Sequence, residues 1–195
     1  SQEGIFSHAY LFRRQELKGQ TLPVTVAVWD GGTRALRPHY GWIRGQCMAG
    51  RAVMTLDVSG VGALKPNAIT SWPDEEFWGV IHTFANHLIW LDDDLAAMRT
   101  YDVLRALDMI GHWPGLLAND IRFYAHGRHG LYARLAAALD KRVKGIEVVE
   151  GMNSVTEWVD ARHYGTSDIK SIILRDMLRW FDLPDLEKWT ARRLG

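Results

Sequence analysis

Short apolar strands that end in glycine turns and alternate with helical segments constrain the fold of this chain more than any other feature. Residues 22–29 are rich in β-branched side chains and run into an Asp-Gly-Gly turn, and residues 52–58 form a second such strand, which ends in Ser-Gly-Val-Gly. A continuously apolar strand is buried on both faces, as in parallel sheets covered by helices. We therefore predict an α/β fold of three layers, a mostly parallel sheet with helices on both faces, in one domain spanning residues 1–195.

The same alternation continues along the rest of the chain. The patterns predict further strands over residues 121–125 and 145–150, and helices over residues 40–49, 131–139 and most of 154–195, with a break at 183–185. Residues 63–74 are predicted to be a loop because they contain Pro66 and Pro73. A helix is expected from Asp74, and the next one opens at Asp92-Asp93-Asp94 and stops before Gly111.

Composition argues against several classes of function. The chain has 23 basic and 23 acidic residues, so it lacks the net positive charge of a general nucleic-acid-binding protein. No stretch approaches the roughly 18 consecutive apolar residues of a membrane span. The only cysteine, Cys47, allows neither a disulfide within the chain nor a cysteine-based zinc site, and we expect a buried, unreactive thiol. These features leave the cellular compartment open.

Two of the glycine turns predict a binding cleft. Ligands of open α/β sheets bind beyond the carboxyl ends of the strands, where these turns lie. One of the two turns is the Asp-Gly-Gly turn at 30–32. The other leads from the strand at 121–125 directly into an alanine-rich helix, and in hydrolases such a turn carries the nucleophilic serine of a Gly-x-Ser-x-Gly motif. The candidate cleft consists of Asp30, Gly31, Gly32, His126, Gly127, Arg128 and His129.

Three sequence segments resemble α/β-hydrolases, and they occur in the same order along the chain. They are Leu-Asp-Val-Ser-Gly-Val-Gly at 56–62, Arg-Thr-Tyr-Asp-Val-Leu-Arg-Ala-Leu-Asp at 99–108 and Leu-Ala-Ala-Ala-Leu-Asp at 135–140. The branch they resemble is that of the bacterial acetyl-xylan-esterase and prolyl-oligopeptidase-like esterases, over roughly residues 20–192. The resemblance implies a carbohydrate-esterase-like or peptidase-like hydrolase without a cofactor. It also implies a Ser-Asp-His triad and an oxyanion site made by residues 30–32 and the Arg128 amide.

The sequence departs from that family at the nucleophile. Gly127 stands where the family has its serine, and a frame shifted by two residues centres on His129, again without a serine. The triad Asp and His follow later strands in the family, whereas the 45 residues after Glu150 are predicted to be helical. We therefore expect no serine catalysis and expect the last strands of the fold to be missing. The chain is then either a piece of a longer hydrolase-like protein, which the start at Ser1 suggests, or a truncated, non-catalytic relative.

Other residue groups allow alternative interpretations. His126 and His129 could bind a metal together with Asp57 or Glu150, or they could be polar residues beside the cleft. His82 and His87 are expected in a core or interface. The acidic run at 92–94 suits a helix start better than a cation site.

Two further groups are given structural interpretations. Arg99, Asp102 and Arg105 lie on one predicted helix and are expected to form an ion pair there. Core packing is expected for most of the nine tryptophans, with exposed sugar-binding platforms as the alternative: Trp29, Trp42, Trp72, Trp78, Trp90, Trp113, Trp158, Trp180 and Trp189.

The sequence thus predicts an esterase-like hydrolase fold without its serine chemistry. A small ester or carbohydrate is the expected ligand. The alternative is a non-catalytic binding or assembly module that uses the same cleft or an open sheet edge, covered by a second copy or a companion segment. A metal-dependent enzyme using the two turn histidines is the third class. Neither nucleic acid nor membrane is expected as a partner.

Overall fold

The chain folds around one five-stranded sheet. The computed structural model describes residues 6–67, 79–163 and 168–194. Its strands are β1 (His8–Phe12), β2 (Leu22–Val28), β3 (Ala52–Asp57), β4 (Leu116–His126) and β5 (Val143–Val149). Its helices are α1 (Tyr40–Met48), α2 (Val80–Trp90), α3 (Leu95–His112), α4 (Gly130–Leu139), α5 (Val155–Asp160), α6 (Met177–Trp180) and α7 (Leu183–Leu194). No helix in these ranges has both the length and the apolar character needed to cross a bilayer.

The sheet is mixed, with four parallel strands and one antiparallel edge. The strand order is β1-β3-β2-β4-β5, and β2, β3, β4 and β5 run parallel. The edge strand β1 is antiparallel to β3 and places His8 opposite Asp57. The sequence analysis did not predict β1, because its five residues mix polar and apolar side chains and are only half-buried. The predicted α/β fold with a mostly parallel sheet is confirmed.

Side chains of β2 alternate between two cores, which explains why the whole strand is apolar. Val24, Val26 and Val28 face the larger core beneath α3, α4 and α7, whereas Ala27 and Trp29 face a smaller core beneath α1. Both faces of the strand are therefore buried between helices. The parallel strands end together at one edge, where the loops that follow them meet.

Several predicted boundaries differ from the structure. Gly111 lies inside α3, which continues to His112, and Leu183 begins α7 instead of interrupting a helix, with Pro184 in the first turn, where its missing N–H is tolerated. Strand β4 starts at Leu116, five residues earlier than expected. The predicted helix start at Asp74 lies outside the described residues.

The expectation that most tryptophans pack in the core fails for four of the seven that the structure describes. Of the seven described, only Trp29 is buried, Trp42 and Trp158 are half-buried, and Trp90, Trp113, Trp180 and Trp189 are exposed. Most of the exposed ones lie on outer helices, which bury only one stripe of their surface. Trp72 and Trp78 lie outside the described residues.

Candidate functional site

The turn after β4 has the shape of a nucleophile elbow without a nucleophile. Strand β4 passes into a 3₁₀ turn, Gly127–His129, and directly into α4. Gly127 has φ +60°, and a Cβ added there would have no non-adjacent atom of the described residues within 4 Å. One turn later, a Cβ on Gly130 would come within 2.5 Å of Val148 Cγ1, so α4 begins in close contact with β5. The elbow has room for a side chain at residue 127, and the sequence supplies none.

The loop after β2 is held in a fixed conformation beside this elbow. Gly31 and Gly32 have φ values of +76° and +49°, which favour glycine. Trp29 donates from Nε1 to the Gly32 carbonyl at 2.9 Å, and the Gly32 N–H donates to the Trp29 carbonyl at 3.0 Å. The resemblance implies that this loop takes part in oxyanion binding, and that role stays a prediction.

Asp57 anchors the loop from beneath. Its fully buried carboxylate accepts hydrogen bonds from Thr33 N and Thr33 Oγ1, both at 2.6 Å, and from Ala63 N at 2.9 Å. His8 Nδ1 of β1 lies 2.8 Å from the same carboxylate. Gly32 packs so closely on Asp57 that a Cβ would overlap the carboxylate. Asp57 therefore joins three loops or strands, a role that sequence analysis missed; the signal available was an acidic residue closing a buried strand before Ser-Gly.

His126 and His129 do not point to one place. His126 Nε2 lies 3.2 Å from Glu150 Oε2, whereas His129 Nε2 lies 3.1 Å from Asp30 Oδ1. No three His, Cys, Asp or Glu side chains are arranged to hold a metal ion in the described ranges. Of the metal ligands considered from the sequence, only His126 and Glu150 pair with each other, and Asp57 bonds elsewhere.

The buried His129 pairs with the exposed Asp30 at the rim of the elbow. His129 is 1% exposed, and burial lowers the pKa of its imidazole. The hydrogen bond from His129 in turn lowers the pKa of Asp30. A carboxylate only accepts hydrogen bonds, so a neutral His129 carries its proton on Nε2. Its Nδ1 is buried and has no hydrogen-bond partner within the part of the chain that the structure describes.

A buried arginine supports the elbow from α3. Arg99 is 1% exposed and donates from Nη1 to Asp168 Oδ2 at 2.8 Å and from Nε to the Ser59 carbonyl at 2.9 Å. Arg128 joins the same group, because its Nη1 lies 3.8 Å from Asp168 Oδ2 and its Nε lies 3.5 Å from Asp30 Oδ1. The elbow thus sits in a chain of alternating charges.

Contrary to expectation, Arg99, Asp102 and Arg105 do not form ion pairs with one another. Asp102 accepts the Ser59 N–H at 2.7 Å, and Arg105 pairs with Asp108 at 2.5 Å. The sequence contained a signal for the buried Arg99, because it lies four residues from both Leu95 and Val103 on the apolar stripe of the helix.

The remaining residues singled out from the sequence have structural surroundings. Asp92 pairs with Arg175, and Asp94 accepts the Arg175 N–H instead of capping α3 with its side chain. Cys47 is half-buried, and burial raises the pKa of its thiol, which disfavours the reactive thiolate. His82 Nε2 lies 3.1 Å from Lys170 Nζ, whereas His87 is exposed and therefore not in the core.

Solved structures share this architecture. A candidate acetyl xylan esterase from Bacteroides fragilis superimposes with a TM-score of 0.75 at 10% identity over 94% of this chain and 53% of its own. An acetyl xylan esterase from Paenibacillus sp. R4 gives 0.57 at 21% identity over 96% and 57%, respectively. Dipeptidyl peptidase 4 from Porphyromonas gingivalis gives 0.54 at 15% identity over 75% and 19%.

The chain has the α/β-hydrolase fold. The resemblance seen in the sequence is thereby confirmed at the level of the fold. The chain spans about half the length of the two esterase structures it matches. No protein-family model and no curated protein sequence matches it. In the α/β-hydrolase fold the nucleophile sits at the tip of the strand-to-helix elbow, which in this chain is Gly127.

Proposed function

We propose that this chain is an esterase-like α/β-hydrolase domain that binds a ligand at the strand ends without forming a covalent acyl-enzyme. The observation that supports this proposal is the elbow tip, where Gly127 has an elbow-type positive φ, open space above it and no side chain. Covalent acyl transfer by this fold requires a nucleophilic side chain at that point. A glycine there keeps the shape of the site and removes its nucleophile.

Neighbouring side chains do not replace the missing hydroxyl. His129 is buried, and its Nε2 is engaged by Asp30. His126 is oriented toward Glu150. Cys47 lies on α1 with its thiolate disfavoured by burial. None of these groups combines exposure, activation and a place at the tip, which nucleophilic catalysis requires.

The ligand is proposed from the surroundings of the elbow and from the fold. His39 stacks on the buried Trp29 at 4.0 Å between ring centroids and lies 5.7 Å from the His126 ring, so two half-buried histidines line the α1 side. Apolar faces with a few polar groups are typical of small-molecule sites. Two of the matched structures are named as acetyl xylan esterases, so a small ester or carbohydrate is the proposed ligand.

A serine-directed probe tests the proposal. The purified chain, incubated with a fluorophosphonate, should show no labelling above a heat-denatured sample, and its p-nitrophenyl acetate turnover should equal the buffer rate. An active serine esterase assayed in parallel establishes sensitivity. Stoichiometric labelling of any serine, located by peptide mapping, would contradict the proposal.

Exposed apolar surface supports assembly as a second candidate function. In the described ranges β5 pairs on one side only, with β4. Trp90, Leu91 and Trp180 are 83%, 76% and 74% exposed, respectively. Unpaired edges and apolar patches favour association. Light scattering should then give a mass above that of one chain, and a monomeric mass with a single cooperative unfolding transition would argue against it.

A further inference from the structure

Asp30 makes the contacts of an anionic ligand although it belongs to the protein. Its side chain is 65% exposed, at the rim of the elbow. Its Oδ1 nevertheless lies 3.1 Å from His129 Nε2 and 3.5 Å from Arg128 Nε. One carboxylate oxygen is thus held by an imidazole N–H and a guanidinium, the pair of groups that would receive a free carboxylate.

The two donors are fixed from behind, independently of Asp30. His129 is 1% exposed and its ring lies 5.5 Å from that of Tyr132, edge to face. Arg128 also faces Asp168, and Asp168 is held in turn by the buried Arg99. The donors belong to the strand-to-helix elbow, whereas Asp30 belongs to the separate loop after β2. The donor pair therefore does not depend on Asp30 for its position.

We propose that the Arg128–His129 pair is a binding site for a small carboxylate, and that Asp30 is a tethered competitor that occupies it. The proposal rests on the non-covalent function proposed above, because it gives the strand-end site a chemical class of ligand. A ligand carboxylate binds by taking the place of Asp30, whose side chain then turns into solvent.

Charge balance explains why Asp30 controls this site. Arg99 and Arg128 face the carboxylates of Asp30 and Asp168. Replacing Asp30 by asparagine removes one negative charge from beside Arg128 and His129. If the tethered carboxylate occupies the donors about nine-tenths of the time, it lowers the apparent affinity for a free anion about tenfold.

The test compares acetate binding by the wild type and by Asp30→Asn. The side-chain Nε–Hε signal of Arg128 is followed by NMR during titration with sodium acetate, at ionic strength kept constant with sodium chloride. Asp92→Asn is the matched control, because it removes an exposed aspartate that pairs with an arginine elsewhere, Arg175. Asp30→Ser is a second variant in case the asparagine perturbs folding.

The expected result is a saturable acetate shift in Asp30→Asn with an affinity about tenfold higher than in the wild type. Asp92→Asn should behave as the wild type, and Arg128→Gln added to Asp30→Asn should abolish saturation at the neighbouring backbone amides. Equal acetate affinity in Asp30→Asn, Asp30→Ser and the wild type, with folded spectra, would overturn the proposal. This outcome is distinct from serine labelling, which would overturn the non-covalent function instead.

Discussion

Removing the Asp57 carboxylate should destabilise the chain more than any exposed charge change. In Asp57→Ala, the N–H groups of Thr33 and Ala63 lose their acceptor, whereas the Thr33 hydroxyl and the partly exposed His8 can find other partners. Each buried backbone donor left unsatisfied costs about 1–3 kcal/mol. With two such donors, the expected loss in free energy of unfolding is about 2–6 kcal/mol.

Asp57→Asn separates shape from hydrogen bonding. The amide NH₂ can replace Oδ2 and donate to Thr33 Oγ1 or, after a tautomer change, to His8 Nδ1. Only the Ala63 N–H then lacks an acceptor, so the expected cost is about 1–3 kcal/mol. The free energy of unfolding should therefore decrease from the wild type to Asp57→Asn and further to Asp57→Ala, because each replacement leaves more N–H groups without an acceptor.

Urea denaturation measures both variants. With a slope of about 2 kcal/mol per molar urea, Asp57→Ala should lower the midpoint by about 2 M. Glu16→Ala, which removes an exposed partner of Arg14, is the control and should change stability by less than about 0.5 kcal/mol. A loss below about 1 kcal/mol for Asp57→Ala, or equal losses for alanine and asparagine, would refute the reasoning from unsatisfied donors.

Three further predictions concern the same edge of the sheet. Gly32→Ala should lower the free energy of unfolding by more than about 2 kcal/mol in a urea titration, because its Cβ overlaps the buried Asp57 carboxylate. Gly127→Ala has no such overlap and should lose only about 1 kcal/mol through backbone strain. Equal losses would contradict the packing argument. Burial lowers the pKa of His129 in the folded chain, so the unfolded chain binds a proton more readily at this residue. The free energy of unfolding should therefore be highest above about pH 6.5 and fall as the pH is lowered. His129→Gln should weaken this pH dependence of stability between about pH 7 and 5, and an unchanged slope would assign the dependence to other groups. Arg99→Met should lower the free energy of unfolding by about 3–5 kcal/mol in chemical denaturation, because it leaves the partners of a buried arginine unpaired. Arg105→Met, at a more exposed position, is the control and should lose about 1 kcal/mol or less. Similar losses for the two variants would show that burial of the Arg99 ion pair is unimportant.

Much of the scaffold could be predicted because local sequence dictates it. The β-branched run of β2 is extended and buried on both faces, and the turn that follows requires a positive φ that Gly31 and Gly32 supply. The alanine-rich α4 and the glycine at the elbow tip could also be predicted from the sequence, because a strand-to-helix turn is a short-range feature. The absence of a serine at Gly127 needed no structure at all.

The strand-end contacts were decided only by the tertiary structure. Arg99 finds its carboxylate 69 residues away, at Asp168. Asp57 contacts His8 because the antiparallel edge strand β1 places residue 8 opposite residue 57. The hydrophobic pattern of the sequence did not predict this strand. His126 and His129 are three residues apart in the chain, yet the elbow turns them toward different partners.

The sequence by itself thus determined the alternating elements and the missing nucleophile, because periodicity, turn chemistry and residue identity are properties of neighbours in the chain. Only the tertiary structure decided which charges meet. Ion pairs between loops depend on strand order and on burial, and both are set by how the whole sheet packs. The pairing of Asp30 with Arg128 and His129, on which the proposed carboxylate site rests, belongs to this second kind.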